Sequence, residues 1–329
     1  MEQKLTISTS PHDHSRWSVQ RCMWNVVIAL LPTAAVGIWV FGLPALWTLL
    51  LSIGGCLAAE WLIDLWMGRK CTISDGSALI TGILLACNLP AILPWWMVLT
   101  GAIVAIGIGK MSFGGLGTNI WNPALVGRVF LLVSFPAAMT TWPSGVHAGI
   151  QAVSGASHQV DASSGATFLA QYNADWAAHT QVHVDLMNLF TGQMNGSLGE
   201  VGAIAILAGL AWLLLTRVIT WHIPVAVLAG AAGLSAALGC NPLYDLLSGG
   251  LLLGAVFMAT DYVTSPTTHK GQIIYGLMIG FLTIIIRRFG SYPEGMSFAI
   301  LLMNSATPLI NHYCKPRRYG HGRRKEVRA

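Results

Sequence analysis

The chain has 329 residues, 54% of them apolar and only 9% charged, against about 25% charged in an average soluble domain, so a soluble globule is excluded. The formal charge of +5 describes a tail: seven of the 18 Lys and Arg lie in the last 15 residues, and without them 11 cations face 12 acids. A short cationic end beside apolar runs marks the cytoplasmic face of a membrane protein better than it marks a nucleic-acid surface, and no nucleic-acid partner is expected.

The polar start, residues 1–23, has no apolar signal-peptide core, so the first membrane helix is expected to insert uncleaved. Ten apolar runs follow, at 24–40, 46–66, 78–89, 96–108 and 121–135 in a first half and at 201–215, 224–238, 247–259, 273–286 and 296–310 in a second. A spanning helix needs about 20 apolar residues, fewer where it is broken inside protein. The expectation is an all-α polytopic protein of about 10 transmembrane helices. Its segments are a cytoplasmic N-terminus (1–23), a membrane repeat (24–136), an outer polar segment (137–200), a second repeat (201–311) and a basic cytoplasmic tail (312–329).

Starting inside, this path puts Arg69, Lys70, Lys110, Arg217 and Lys270 on the cytoplasmic side, as the charge bias of membrane proteins requires. No Lys or Arg occurs between Arg128 and Arg217, which places 137–200 outside, in a bacterial periplasm. Arg287 and Arg288 break the pattern, at the outer end of the ninth run. Either a helix boundary slips there or the pair meets an anionic partner.

The halves resemble one another. Each has a short run ending at a polar and Pro-containing stretch (Asn88-Leu89-Pro90; Asp261-Tyr262 with Pro266), then a full run, then a glycine-rich turn and a last run. Five helices per copy would invert the second copy, and paired interrupted segments in inverted repeats point to a site near the midplane.

The chemistry-bearing residues are few. The six cysteines are scattered singly, and no metal site is expected from this chain alone. His179 and His183 share a helical spacing but lack a third ligand, so a surface role is the simpler reading. Glu60 and Asp64, four apart, are expected near the cytoplasmic interface in a salt-bridge cluster with Arg69 and Lys70. Asp261, ending a broken run, is as fit to handle a cation as to be interfacial.

The outer segment contains Asp161-Ala162-Ser163-Ser164-Gly165-Ala166-Thr167. Alone, Ser-Gly-Ala-Thr reads as a small-residue turn before Phe168. Its setting is more specific: Ser10-Pro11-His12, Thr81-Gly82-Ile83-Leu84-Leu85, Gly114-Gly115 with Asn122-Pro123-Ala124, Gly196-Ser197-Leu198-Gly199-Glu200, Ala259-Thr260-Asp261 and Tyr292-Pro293-Glu294-Gly295 accompany it. With these motifs the chain resembles the family containing the D component of the Rnf ion-translocating oxidoreductase and the B component of the sodium-translocating NADH:quinone reductase. The length favours the former.

The resemblance implies FMN joined through phosphate to Thr167, with Asp161, Ser164, Gly165 and Ala166 forming the motif that a separate FAD:protein FMN transferase reads. It also implies riboflavin held non-covalently within the helices, on residues the sequence does not single out, and a part for Asp261 in ion coupling. The expected role is electron relay between ferredoxin and NAD coupled to Na⁺ or H⁺ movement. The partners are other Rnf subunits, including a periplasmic FMN-bearing one, within the bacterial inner membrane. The alternatives are the quinone-reductase component, and a channel or transporter in which the motif is accidental. Small side chains and a glycine free to take positive φ suit an acceptor hydroxyl that must enter a transferase.

Overall fold

The computed structural model describes residues 18–69, 71–142, 168–177, 190, 196–290 and 294–315. Among them every regular element is helical. In the first half these are α1 (Val19–Phe41), α2 (Leu43–Trp66), α3 (Ser77–Cys87), α4 (Trp95–Gly107), α5 (Pro123–Ser134) and the single turn α6 (Pro136–Met139). A separate helix, α7 (Phe168–Ala177), precedes the second half, which comprises α8 (Ala203–Leu215), α9 (His222–Ala237), α10 (Pro242–Leu247), α11 (Leu251–Leu253), α12 (His269–Phe289) and α13 (Met296–Tyr313).

Local chemistry sets these boundaries. Ser18 caps α1 by accepting from the Arg21 N–H at 3.2 Å. One residue joins α1 to α2: Gly42, at φ 71 and ψ −149, which lets the chain reverse before Pro44 in the first turn of α2. Asn122 and Asn241 cap α5 and α10, each followed by a proline. α12 outruns its apolar stretch at both ends, because Thr268 caps a polar first turn and Arg287 and Arg288 complement the carbonyls of the last turn.

Four helical segments, Val19–Phe41, Leu43–Trp66, Trp95–Phe113 and His269–Phe289, are long and apolar enough to cross a membrane, and Ser77–Cys87, Pro123–Ser134, Ala203–Leu215 and His222–Ala237 are shorter apolar helices. Tryptophans and leucines exposed along α1, α2 and α4, such as Trp39, Trp47, Leu65 and Ile103, form the surface such a protein turns to lipid.

The same packing order recurs in the two halves. In the first, α2 lies against α4, α4 against α5, and α3 against α5; in the second, α9 lies against α12, α12 against α13, and α13 against the segment after α11. The first helices of the halves, α1 and α8, pack together, as do the last, α5 and α13.

The two short segments meet at the centre. α3 is buried along nearly its whole length, and Gly82 lets it approach α2, where an added Cβ would stand 2.7 Å from Ile53 Cα. α11 continues into a π-helical turn over Gly254–Met258, with the Ala259 N–H donating to Gly254 O at 2.8 Å. The side-chain amide of Asn88, just past α3, donates to Met258 Sδ at 3.8 Å. The carbonyls at the end of α3 would be orphaned in an apolar interior. The buried segment 196–200 meets them: Gly199 N–H donates to Cys87 O at 2.7 Å and Leu198 N–H to Leu89 O at 3.4 Å.

Candidate functional site

The bundle has two ends, one bearing the start of α1 and the other bearing α7. At the first end, a pocket with about 760 Å³ of empty space, part of it open to the outside, lies between the halves. Its walls are apolar, including Val26, Ile80, Leu84, Leu213 and Phe257, and its polar groups include Ser77, Lys110, Asn119, Asn122, Thr260 and Asp261. Asp261 ends the broken α11 segment, as the sequence indicates. Its carboxylate accepts from Val263 N–H at 3.5 Å, from Thr264 Oγ1 at 3.2 Å and from the Asn119 side chain. Asn122 binds both halves: its amide donates to Met258 O at 3.3 Å, and its backbone N–H donates at 3.2 Å to the Asn304 amide oxygen, whose nitrogen donates to the Tyr275 hydroxyl at 2.6 Å.

Beside this pocket, Glu60 and Asp64 depart from the interfacial arrangement expected of them. Glu60 is completely buried and Asp64 nearly so. The cation of Glu60 is Lys110, whose ammonium donates to both Glu60 oxygens at 2.8 Å and to Ser77 Oγ at 2.5 Å. Thr72 Oγ1 is shared between Glu60 at 2.5 Å and Asp64 at 3.0 Å, and Thr72 N–H also donates to Asp64 at 3.0 Å. Arg69 turns instead to Gly114 O at 3.0 Å, and Lys70 lies outside the described residues. Glu60 sits six residues before the end of α2, roughly 9 Å at 1.5 Å per residue, and faces the turn after α4, which carries Lys110.

Across the seam, Arg128 of α5 joins the Asn88 and Glu294 motifs and the start of α13. It forms an ion pair with Glu294 and donates to Ser297 Oγ at 2.6 Å and Asn88 Oδ1 at 3.0 Å. Glu200 accepts from Ser197 N–H at 3.3 Å.

At the α7 end lie Arg287 and Arg288, and no slipped boundary is involved, since both belong to the last turn of α12. Arg287 donates to Asp245 O at 2.6 Å and Ser248 O at 3.0 Å. Arg288 pairs with both Asp245 oxygens, at 2.7 and 2.8 Å, and donates to Asn173 of α7 at 2.6 Å. The anionic partner is thus internal. Burial pushes the Tyr172 phenol of α7 above its ordinary value; the Asn241 N–H it accepts and Arg288 oppose this, while Asp245 adds to it.

Of the residues singled out from sequence, Asp261 is seen in a polar pocket between the halves. Asp161, Ser164, Gly165, Ala166, Thr167, His179 and His183 lie outside the described residues. Lys110, Arg128, Glu294 and Asp245 carry buried ion pairs that sequence alone does not bring together; the available signal is that each is a solitary charge within apolar surroundings.

These features define a polytopic helical membrane protein with a largely apolar pocket that carries a few polar groups. The chain belongs to the NQR2, RnfD, RnfE family, which matches residues 6–320. It is 43% identical to the D component of the Na⁺-translocating ferredoxin:NAD⁺ oxidoreductase complex of Acetobacterium woodii, an alignment covering all of this chain and 99% of that protein. Similarity extends to the D component of the ion-translocating oxidoreductase complex of Stutzerimonas stutzeri, 41% identical over 94% of both chains. It extends also to the D component of the proton-translocating ferredoxin:NAD⁺ oxidoreductase complex of Clostridium ljungdahlii, 40% identical over 96% of both.

Proposed function

We propose that this chain is the flavin-bearing D component of an ion-translocating oxidoreductase complex, relaying electrons between ferredoxin and NAD as Na⁺ or H⁺ moves. Near-full-length identity to D components of complexes so named carries this reading.

In this reading FMN is joined through its phosphate to Thr167 by a transferase that consumes FAD, and when bound it supplies one- and two-electron carriage. The chain's own contribution is placement. Thr167 is bonded to Phe168, where the described part of α7 begins, and α7 is held to the membrane body on its Leu169, Tyr172 and Asn173 face. The pocket at the opposite end has the character of a site for a second, non-covalent flavin such as riboflavin: apolar walls for a ring system, with Asn119, Asn122 and Lys110 as polar partners. Asp261, facing the same pocket, is the carboxylate proposed for ion coupling. The membrane is the bacterial inner membrane with both termini cytoplasmic, and the neighbours are the other subunits of the complex, a periplasmic FMN-bearing one among them.

The test is the mass of the intact purified chain. Wild type should carry the increment of one FMN phosphoryl group, and Thr167→Ala should lose both that increment and the ultraviolet-excited fluorescence of the denatured chain. Ser163→Ala and Ser164→Ala should keep both. A Thr167→Ala chain that still holds denaturation-resistant flavin overturns the assignment.

A further inference from the structure

The Thr72 hydroxyl has a single hydrogen and two carboxyl oxygens beside it. Glu60 Oε1 lies 2.5 Å from Oγ1, and Asp64 Oδ2 lies 3.0 Å from it. The shorter contact falls in the range of about 2.5–2.7 Å for a hydroxyl donating to an ionised carboxylate. Glu60 is the carboxyl that Lys110 holds ionised, since the ammonium donates to both of its oxygens at 2.8 Å. Thr72 therefore gives its hydrogen to Glu60, and its oxygen turns a lone pair toward Asp64. Two oxygens 3.0 Å apart with no hydrogen between them repel, whereas a hydrogen on Asp64 Oδ2 makes that contact a bond.

The surroundings of Asp64 require the same hydrogen. The residue is 2% exposed, its Oδ1 has no hydrogen-bond partner, and beyond the Thr72 hydroxyl its Oδ2 meets the Thr72 N–H at 3.0 Å. The titratable and charged groups around the pair are Cys56 on α2 itself, Arg21 in the first turn of α1, Arg69, Cys71 and Asp75 in the stretch after α2, and Lys110 after α4. Asp75 is engaged with Ser77, accepting from its N–H at 2.8 Å and its Oγ at 2.5 Å, and Arg69 with Gly114 O. Among the described residues none forms an ion pair with Asp64. Ionised, Asp64 would be a buried charge without a counter-charge and with one oxygen unsatisfied; as an acid it is neutral. One proton also balances the pair against Lys110.

We propose that Asp64, Thr72 and Glu60 form a site for one proton: Asp64 holds it on Oδ2, and Thr72 Oγ1 is the hydroxyl through which it passes to and from Glu60. In the transfer the Oδ2–H bond breaks as that hydrogen joins Oγ1, and the hydrogen already on Oγ1 leaves for Glu60 Oε1. The negative charge moves from Glu60 to Asp64, and no other reactant is needed. Both carboxyls are buried while Thr72 is exposed, so the same hydroxyl is where the site meets water. On its other side Glu60 continues through Lys110 to Ser77, and both of these line the pocket. The site is separate from Asp261 and stands without the flavin assigned to Thr167.

Infrared difference spectra of the purified complex, grown with ¹³C in the side-chain carboxyl of aspartate, read this proton directly, because a protonated carboxyl absorbs apart from a carboxylate and shifts in D₂O. At neutral pH, where an aspartate with its ordinary pKa of about 3.9 is ionised, wild type should show a protonated ¹³C-aspartate band that Asp64→Asn lacks. Asp64→Glu takes the residue out of the labelled set while keeping a carboxyl, and gives the same reading if Asp64→Asn does not assemble. Thr72→Ser should keep the band and the rate of its deuterium shift. Thr72→Val, which lacks the hydroxyl that passes the hydrogen, should slow that shift by about tenfold or more. Wild-type and Asp64-variant spectra that coincide in the protonated-carboxyl region at neutral pH overturn the proposal, as does a Thr72→Val band that exchanges as fast as wild type.

Discussion

Lys110→Met tests whether the buried cluster at the pocket works as an ion pair. In the folded protein the Lys110 ammonium is 3% exposed and makes three short contacts, two to Glu60 and one to Ser77. Removing it leaves Glu60, which has no solvent exposure, with Thr72 as its remaining partner, and Thr72 is already shared with Asp64. Two carboxylates then face one hydroxyl. Breaking one side of a buried pair costs about 3–5 kcal/mol, and the presence of Asp64 puts the expected loss at no less than about 3 kcal/mol, or roughly 150-fold in the unfolding equilibrium.

The other corners of the cycle follow from the same pair. Glu60→Gln should cost a comparable amount by stranding the ammonium. The double variant, which buries two neutral groups of similar size, should lie within about 1 kcal/mol of wild type. Reversible unfolding of the purified protein in mixed micelles measures all four corners. Single losses below about 1 kcal/mol, or singles that add to within about 0.5 kcal/mol, would refute the reasoning, because additivity means the two side chains do not interact.

Three further outcomes are expected. Asp261→Asn should weaken cation-dependent turnover while leaving flavin content at the wild-type level; turnover with unchanged cation dependence would make the residue a loop anchor for Val263 and Thr264. Gly280→Val should destabilise the protein by about 2 kcal/mol or more, since even a Cβ there meets the Ala231 nitrogen at 2.6 Å where α9 and α12 cross. Thermal unfolding reads this loss, and Gly54→Ala, in open space, serves as its control. If both termini are cytoplasmic, as proposed, an impermeant thiol reagent should label a cysteine placed at Ser157 but not one at Ser8 in intact cells, on a background with native cysteines removed. The opposite pattern reverses the topology.

The element boundaries are largely legible because membrane helices must be continuous in apolarity and are punctuated by Gly and Pro. The apolar runs at 46–66, 96–108 and 201–215 correspond to α2, α4 and α8 with ends displaced by three residues at most. The run at 273–286 understates α12, because the first and last turns of that helix are polar and are stabilised by a cap and by helix-end charge complementarity, neither of which appears in a hydropathy window. The broken segment at 247–259 can be read from the polar and proline-containing stretch after it. Its π-helical turn cannot, since the register follows from packing of Gly254 against Met296. The largest gap concerns partners. Glu60 and Asp64 stand close to Arg69 in sequence, yet the cation that neutralises Glu60 is 50 residues away on a turn carried back by α4. Likewise Arg287 and Arg288 look free in sequence because Asp245, more than 40 residues earlier, has no reason there to face them. Helix spacing relates neighbours on one helix; only the packing of α2 on α4 and of α10 beside α12 relates these.

The two ends of the bundle differ in charge, and this bears on where a cation would dwell. At the pocket end the buried or pocket-lining charges are the carboxylates of Glu60, Asp64 and Asp261 against the single ammonium of Lys110, a formal excess of two negative charges. At the α7 end Arg128, Arg287 and Arg288 face Glu200, Glu294 and Asp245, and the sum is zero. Between them lie the apolar side chains of Leu85, Leu253 and Phe257 and the neutral amides of Asn88 and Asn122, which reach Met258. In a low-dielectric interior an uncompensated negative pair is costly until a cation or proton joins it, whereas a neutral network needs none. A small cation would therefore rest beside Asp261 rather than near α7, where the carboxylates are matched by arginines. Arginine is also the less suitable counter-ion to displace, being always protonated and fixed by several bonds, while Lys110 is a compact ammonium on a flexible stem. On the proposed function, ion handling would fall to the pocket between the halves, where carboxylates are in excess, and not to the α7 end, where arginines match them.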